Sequence, residues 1–148
     1  MLLDTESATR LRAVIGRLQR QLRPTPSGLD AALTPTRISL MLSIDRTGPV
    51  RLGELADSEG INPTMRSRSV TQLVDAGLVA RTCDSDDRRA AWVTATEEGH
   101  ALAERIRQER TDAVNAALAG LSPEDRRTLE QAIPALEALA LELKGRRR

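Results

Sequence analysis

The sequence predicts a mainly α-helical protein with a small β wing: a winged helix-turn-helix lobe and a second, helical lobe. Two observations predict this fold class. The first is the segment from residue 61 to residue 95, where a short polar and basic helix is followed by a glycine turn, a strand, a charged tip and a second strand. The second is a set of long amphipathic helices on both sides of that segment.

The composition limits the class of protein before any motif is considered. The 148 residues suffice for one domain with its own core, and 22 basic against 21 acidic residues give a net charge of +1. The single cysteine excludes an internal disulfide bond, and no apolar run approaches the ~18–20 residues that cross a bilayer. Residues 1–4 lack the basic start of a signal peptide. We therefore expect a soluble, cytoplasmic protein with no membrane partner.

The first helix is predicted over residues 5–23. Apolar side chains recur there at helical spacing: Ala8, Leu11, Val14, Ile15, Leu18 and Leu22. The prolines of residues 24–28 end it, because proline cannot continue the hydrogen-bond ladder. Thr34 then has the character of an N-cap with Pro35 at the first helical position, which predicts a second helix to about Asp45.

A short extended pair at residues 50–51 precedes a short helix over residues 52–56. Asn62 is expected to cap the next helix, which begins at Pro63 and runs to about Asp75; we call it the reading helix. Four aliphatic residues are expected to lie in the core of this lobe: Ile38, Leu40, Leu42 and Leu55.

Two β-leaning runs, residues 78–83 and 91–95, flank a charged segment with the composition of a hairpin tip, residues 84–89. A helix of about 10–12 Å diameter fits a major groove of about 12 Å, and a hairpin tip can reach the neighbouring minor groove. Duplex DNA is therefore the expected partner. Single-stranded nucleic acid is not, because Trp92 is the only aromatic residue available for base stacking.

Two long helices are predicted after the wing. The first runs from residue 96 to about 118, and the second starts at Ser122-Pro123 and ends near Lys144. Apolar residues of the second helix alternate by four and three: Leu129, Ile133, Leu136, Ala140 and Leu143. One winged helix cannot cover this surface, so we expect a two-fold homodimer. Pro134 predicts a kink or an early break.

Three segments carry a resemblance to a known family. Asp87-Arg-Arg-Ala-Ala-Trp-Val-Thr-Ala-Thr-Glu-Glu-Gly99 is similar to the wing signature of the MarR family of bacterial transcription regulators. Gly53-Glu-Leu-Ala56 and Leu73-Val-Asp-Ala-Gly-Leu-Val79 resemble its helix-turn-helix scaffold. The order of elements is similar from about Leu11 to Leu143. Three residues depart from the larger or apolar residues usual in that family: Ala95, Arg66 and Ser69.

The resemblance implies a single MarR-like domain over residues 1–148. Its winged helix-turn-helix DNA-binding lobe would span residues 34–98, and its helical dimerisation lobe would combine residues 5–23 and 99–145. It also implies a homodimeric, sequence-specific regulator of transcription on a pseudo-palindromic operator, a repressor relieved by a small ligand. The alternative is a winged-helix protein-interaction module with lost or weak DNA binding, which the near-neutral charge and the unusual Arg66 and Ser69 favour.

The resemblance further implies that Arg89 enters the minor groove while Asp87 holds its guanidinium. The alternative is a solvated salt bridge of little consequence, and Arg88 would contact phosphate or nothing. DNA contacts are expected from one set of residues on the reading helix: Thr64, Arg66, Ser67, Arg68, Thr71 and Gln72. Any surface helix carries such residues, but here a wing follows. Arg68 is suited to guanine, whereas Arg66 would reach a base or lie along the core.

A small aromatic or anionic effector is the other partner that the resemblance implies. Its crevice would involve three residues, for which a surface or core position is the alternative: Arg17, Arg37 and Met41. Cys83 is read as structural rather than redox-active, because Asp84 beside it would oppose a thiolate. His100 has no Cys or second His nearby, so no metal site, cofactor or enzymatic activity is expected.

Overall fold

The computed structural model of the protein describes residues 4–23, 33–59, 61–83, 85–86 and 91–146, with only the backbone of residues 56–59. The elements of this part of the chain follow in order: α1 Thr5–Gln21, α2 Pro35–Thr47, β1 Val50–Arg51, α3 Leu52–Glu59, α4 Pro63–Asp75, β2 Val79–Cys83, β3 Ala91–Ala95, α5 Glu97–Ala119 and α6 Pro123–Gly145. The predicted fold class is confirmed: mainly helical, with a small antiparallel wing. The proline segment at residues 24–28 lies outside the described residues, as does most of the predicted hairpin tip.

Local chemistry explains where the helices begin. Four of them start after a side chain that accepts a hydrogen bond from a backbone N–H of the first turn: Asp4, Thr34, Asn62 and Ser122. Asn62 Oδ1 serves two such groups, Thr64 N at 2.8 Å and Met65 N at 3.2 Å. These caps satisfy donors that have no partner within the helix. The predicted starts of α2, α4 and α6 are thereby confirmed.

The three strands form one antiparallel sheet in the order β1-β3-β2. Val50 pairs with Val93, and Val79 pairs with Ala95. The sequence predicted the extended pair at residues 50–51 but not its place in the sheet. Because β1 directly precedes α3 and β2 follows α4, the sheet joins the chain segments on both sides of the helix-turn-helix.

The core lies among α2, α3, α4, the sheet and the first half of α5. Its buried apolar side chains include no aromatic residue: Ile38, Leu40, Met41, Ile44, Val50, Leu55, Val70, Leu73, Val79, Val93, Leu102, Ala103 and Ile106. Three of the four expected core residues are among them, and Leu42 is partly buried against this cluster. Burial of these side chains stabilises the lobe at roughly 25 cal/mol per Å² of apolar surface.

A close backbone contact joins the start of α5 to the turn after α4. Gly77 takes a positive φ of 73°, which a glycine adopts without strain. Thr96 donates from its hydroxyl to Gly77 O at 2.6 Å and from its backbone to Leu78 O at 3.1 Å. Gly99 N donates to Thr96 Oγ1 at 3.1 Å. A Cβ on Gly99 would lie 2.0 Å from Leu78 O, so only glycine fits there.

The chain divides into two compact units, Met1–Arg110 and Thr111–Arg148. Within the second unit, α6 runs through Pro134 to Gly145, so the early break that Pro134 predicted does not occur. The large apolar side chains of α6 remain exposed, among them Leu129, Ile133, Leu136 and Leu143. None of the described helices is long and apolar enough to span a membrane.

Candidate nucleic-acid interface

The helix α4 separates a buried stripe from an exposed polar row. Ser69, Val70 and Leu73 face the core and are buried. A shallow concavity follows the opposite side and is lined by Pro63, Thr64, Ser67, Arg68, Thr71 and Gln72. Five of these were predicted from sequence to contact DNA, and they recur at the three- and four-residue spacing of one helix face. We call Thr64, Ser67, Arg68, Thr71 and the half-buried Gln72 the exposed row.

The exposed row carries the groups that bind nucleic acids. Arg68 presents five N–H donors in a planar fork that matches guanine or phosphate, and Gln72 presents an amide with a donor and an acceptor. Thr71 donates its hydroxyl proton to Ser67 O at 3.0 Å. Toward a ligand Thr71 therefore offers its methyl group and an acceptor, while the exposed Thr64 and Ser67 hydroxyls can donate.

Arg66 occupies a different position from the other predicted contacts. It is half-buried, and two of its guanidinium nitrogens, Nε and Nη1, are shielded from solvent without a hydrogen-bond acceptor among the described residues. Of the two alternatives that the sequence left open, the free protein adopts the one in which the side chain lies toward the core. Arg66 does not line the concavity.

The wing is described in its strands but not in its tip. Asp87, Arg88 and Arg89, the predicted wing contacts, lie outside the described residues. At the base of the wing, the Arg51 guanidinium carbon lies 5.2 Å from the centroid of the Trp92 ring, a cation–π distance. Arg51 and Trp92 are paired positions of β1 and β3. Sequence analysis missed this contact because it did not predict the pairing.

A charged cluster ties the end of α2 to α5. The Asp45 carboxylate, whose side chain is only 5% exposed, accepts hydrogen bonds from His100 Nδ1 at 2.8 Å and from Arg107 Nη2 at 2.7 Å. Arg107 also pairs with Glu104 at 2.5 Å. Burial raises the pKa of Asp45, but the hydrogen bonds from His100 and Arg107 outweigh it and leave that pKa lowered.

This cluster also changes the reading of His100. Sequence analysis found no metal-ligating neighbour for it, yet ligand atoms of Asp45, His100 and Glu104 lie within 4.8 Å of one another. The Arg107 guanidinium bonds both carboxylates and supplies the positive charge that they require. A metal ion would have to displace it, so the arrangement is better explained as a set of ion pairs.

The remaining predicted positions are spread over the fold. Arg17 is exposed on α1, Arg37 is half-buried near the start of α2, and Met41 is fully buried in the core. The effector crevice that they would line stays a prediction. Cys83, at the end of β2, is a free and exposed thiol.

Comparisons with known proteins agree with this architecture. The model of the MarR family matches residues 33–91, from the residue before the α2 cap to the first residue of β3. The HTH-type transcriptional regulator YwhA of Bacillus subtilis (strain 168) is 23% identical over 116 residues, which cover 75% of this chain and 83% of YwhA. Residues 33–91, which the family model matches, contain the whole of α4 and its exposed row.

Two solved structures share the fold. Wild-type MarR from E. coli in its apo form superposes with a TM-score of 0.75 at 22% identity, covering 92% of this chain and 98% of that one. FabT of Streptococcus pneumoniae, crystallised in complex with DNA, superposes with a TM-score of 0.70 at 14% identity, covering 95% and 99% of the two chains. Both similarities extend well beyond the segment that the family model matches.

Proposed function

We propose that the chain is a MarR-family winged helix-turn-helix transcription regulator, a homodimeric repressor that binds a pseudo-palindromic operator in duplex DNA. As a transcription regulator it is not an enzyme, in agreement with the sequence analysis. The observation that carries the proposal is the exposed row, which lies opposite the buried stripe of α4. FabT, which shares the fold, binds DNA, and MarR is a multiple antibiotic resistance repressor.

In the proposed complex α4 enters the major groove. Its 13 residues form a rod narrow enough for a groove of about 12 Å. Arg68 would bond bidentately to guanine, and the hydroxyl groups of Thr64 and Ser67 would bond to phosphates or bases. The wing would place Arg89 in the adjacent minor groove, with Asp87 orienting its guanidinium and Arg88 near a phosphate.

A second copy of the chain is the proposed cover for the apolar stripe of α6. Leu129, Ile133 and Leu136 follow one another by four and three residues and are all exposed. Water-exposed apolar stripes of this spacing are typical of helices that pair with another helix. Two copies related by a two-fold axis would present their α4 helices to half-sites about one DNA turn apart.

The repressor would respond to an effector through the spacing of its two reading helices. A small aromatic or anionic ligand, held in part by Arg17 or Arg37, would shift the population only if it bound one spacing better than the other. Tighter binding to the spacing that does not fit DNA would release the operator. This part of the proposal rests on the family resemblance.

The test is fluorescence anisotropy on duplex DNA from upstream of the protein's own gene, over a salt series. The wild type should bind with an affinity that falls steeply with salt, because phosphate contacts release counterions. Arg68→Ala and Arg89→Ala should each weaken binding by about 5- to 150-fold, which corresponds to about 1–3 kcal/mol per specific contact.

The charge-matched control is Arg127→Ala, an exposed arginine of α6 that should leave binding nearly unchanged. Weak binding that is equal in all four proteins, on this and on random DNA, would contradict the proposal. The protein-interaction alternative would then explain the fold better.

A further inference from the structure

We propose that Arg66 is a phosphate-binding residue that the free protein stores in an unpaired, desolvated position and releases outward when DNA binds. The inference deepens the proposed function and rests on it. Arg66 therefore has two positions, one facing the core without DNA and one facing a phosphate with DNA. The exposed row of α4 needs no such change, because its side chains already line the concavity.

The position of Arg66 on the helix is that of a core residue. It precedes Ser69 by three residues, Val70 by four and Leu73 by seven, and all three are buried. Residues at these spacings share one face of a helix. An arginine there replaces an apolar side chain that would pack against the same stripe.

Two of the three guanidinium nitrogens of Arg66 lack an acceptor in this position. Its Nε and Nη1 are shielded from water and have no hydrogen-bond acceptor among the described residues. A buried donor without an acceptor, and still more a buried charge without a partner, is unfavourable. A state in which these nitrogens have an acceptor is therefore favoured, because it recovers the hydrogen bonds that they lose when they are shielded from water.

Arg66 is only half-buried, so part of its side chain already reaches solvent. The two neighbours of Arg66 along the chain, Met65 and Ser67, are both exposed, and Ser67 belongs to the exposed row. The long arginine stem can carry its head group to the helix surface by bond rotation while the stem stays on apolar surface.

A phosphate is the acceptor that fits best. A guanidinium bonds phosphate oxygens bidentately, which would satisfy both unpaired nitrogens at once. Arg66 lies on the face of α4 that carries Ser69, Val70 and Leu73, away from the exposed row, so it would meet the DNA backbone and not the base edges. Because DNA would bind only the outward position, it would shift the side chain toward it.

The test compares Arg66→Met with Arg68→Met, which removes the same charge from an exposed site on the same helix. Thermal unfolding of the DNA-free proteins shows whether the shielded guanidinium of Arg66 destabilises the fold. Anisotropy on a random-sequence duplex over a salt series reports the phosphate contact. Arg66→Met should raise the melting temperature, and it should reduce the slope of log K against log salt by about one. Arg68→Met should leave the melting temperature unchanged.

Two results would overturn the inference on its own. A lower melting temperature of Arg66→Met would mean that the buried guanidinium stabilises the fold. An unchanged salt slope in Arg66→Met, with salt-sensitive binding by the wild type, would mean that Arg66 makes no phosphate contact. Absence of salt-sensitive binding by the wild type itself would instead overturn the proposed function, and this inference with it.

Discussion

Replacing Gly99 with alanine should destabilise the protein by about 3 kcal/mol, because the contact between α5 and the turn after α4 has no room for a methyl group. The added Cβ would lie 2.0 Å from Leu78 O and 3.0 Å from Leu78 C. Both are backbone atoms, so no change of rotamer relieves the overlap. Either α5 or the turn at Leu78 must move.

The magnitude follows from what that movement disturbs. Overpacking typically costs about 1–3 kcal/mol, and the upper end applies where the obstacle is backbone. Moving Leu78 also weakens the hydrogen bond from Thr96 N to Leu78 O, 3.1 Å long, which contributes about 1 kcal/mol. The better helix propensity of alanine offsets up to about 1 kcal/mol. The net change is about 3 kcal/mol.

Urea unfolding followed by tryptophan fluorescence measures the free energy of unfolding. Trp92 is the only aromatic residue of the protein, so the signal comes from β3 alone. The matched control is Gly53→Ala in α3, where an added Cβ would meet nothing within 4 Å. It should leave stability unchanged or raise it by up to about 1 kcal/mol. Equal midpoints for Gly99→Ala and the wild type would refute the reasoning.

Two further predictions concern charge and assembly. Asp45→Asn should lower the free energy of unfolding by about 2 kcal/mol at neutral pH, since it removes charged hydrogen bonds to His100 and Arg107. Because the pKa of Asp45 is lowered in the folded protein, this stability is present above the unfolded pKa of about 3.8 and is lost as the pH falls through the lower folded pKa. The free energies of unfolding of the wild type and the variant, measured in urea, should therefore converge in acid. Ile133→Glu changes a side chain that is 51% exposed on the α6 stripe, and it should lower the sedimentation coefficient from that of a dimer to that of a monomer. The control Leu141→Glu changes a side chain that is 71% exposed but lies off that stripe, and it should leave the sedimentation coefficient unchanged. A monomeric wild type would contradict the dimer proposal.

The starts of the helices could be predicted because their signals are local. Thr34-Pro35 and Asn62-Pro63 combine a capping side chain with a proline that needs no N–H, and both precede helices as predicted. The strand β1 could not be placed in the same way. Its pairing of Val50 with Val93 depends on a partner far along the chain, and two residues carry no alternation that would indicate a sheet.

The same distinction applies to the candidate site. The exposed row follows from helical periodicity, which fixes which residues share a face once the ends of α4 are known. The cluster around Asp45 does not, because His100 lies 55 residues away and only the packing of α2 against α5 brings the two together. For Arg66, the apolar residue usual at this position in the MarR family indicated a core-facing position, whereas the arginine side chain indicated an exposed one, so the sequence alone could not decide.

Two independent ties hold the first turns of α5 to the helix-turn-helix. The contact of Thr96 and Gly99 with Leu78 fixes the turn that directly follows α4, and the ion pairs of Asp45 fix the end of α2. The first is steric and made by uncharged groups, whereas the second depends on an ionised carboxylate. Acid should therefore weaken the Asp45 ion pairs and leave the contact at Leu78 intact. Because α2 and α4 share one core, a displacement of α5 moves both helices together unless one of these ties is broken.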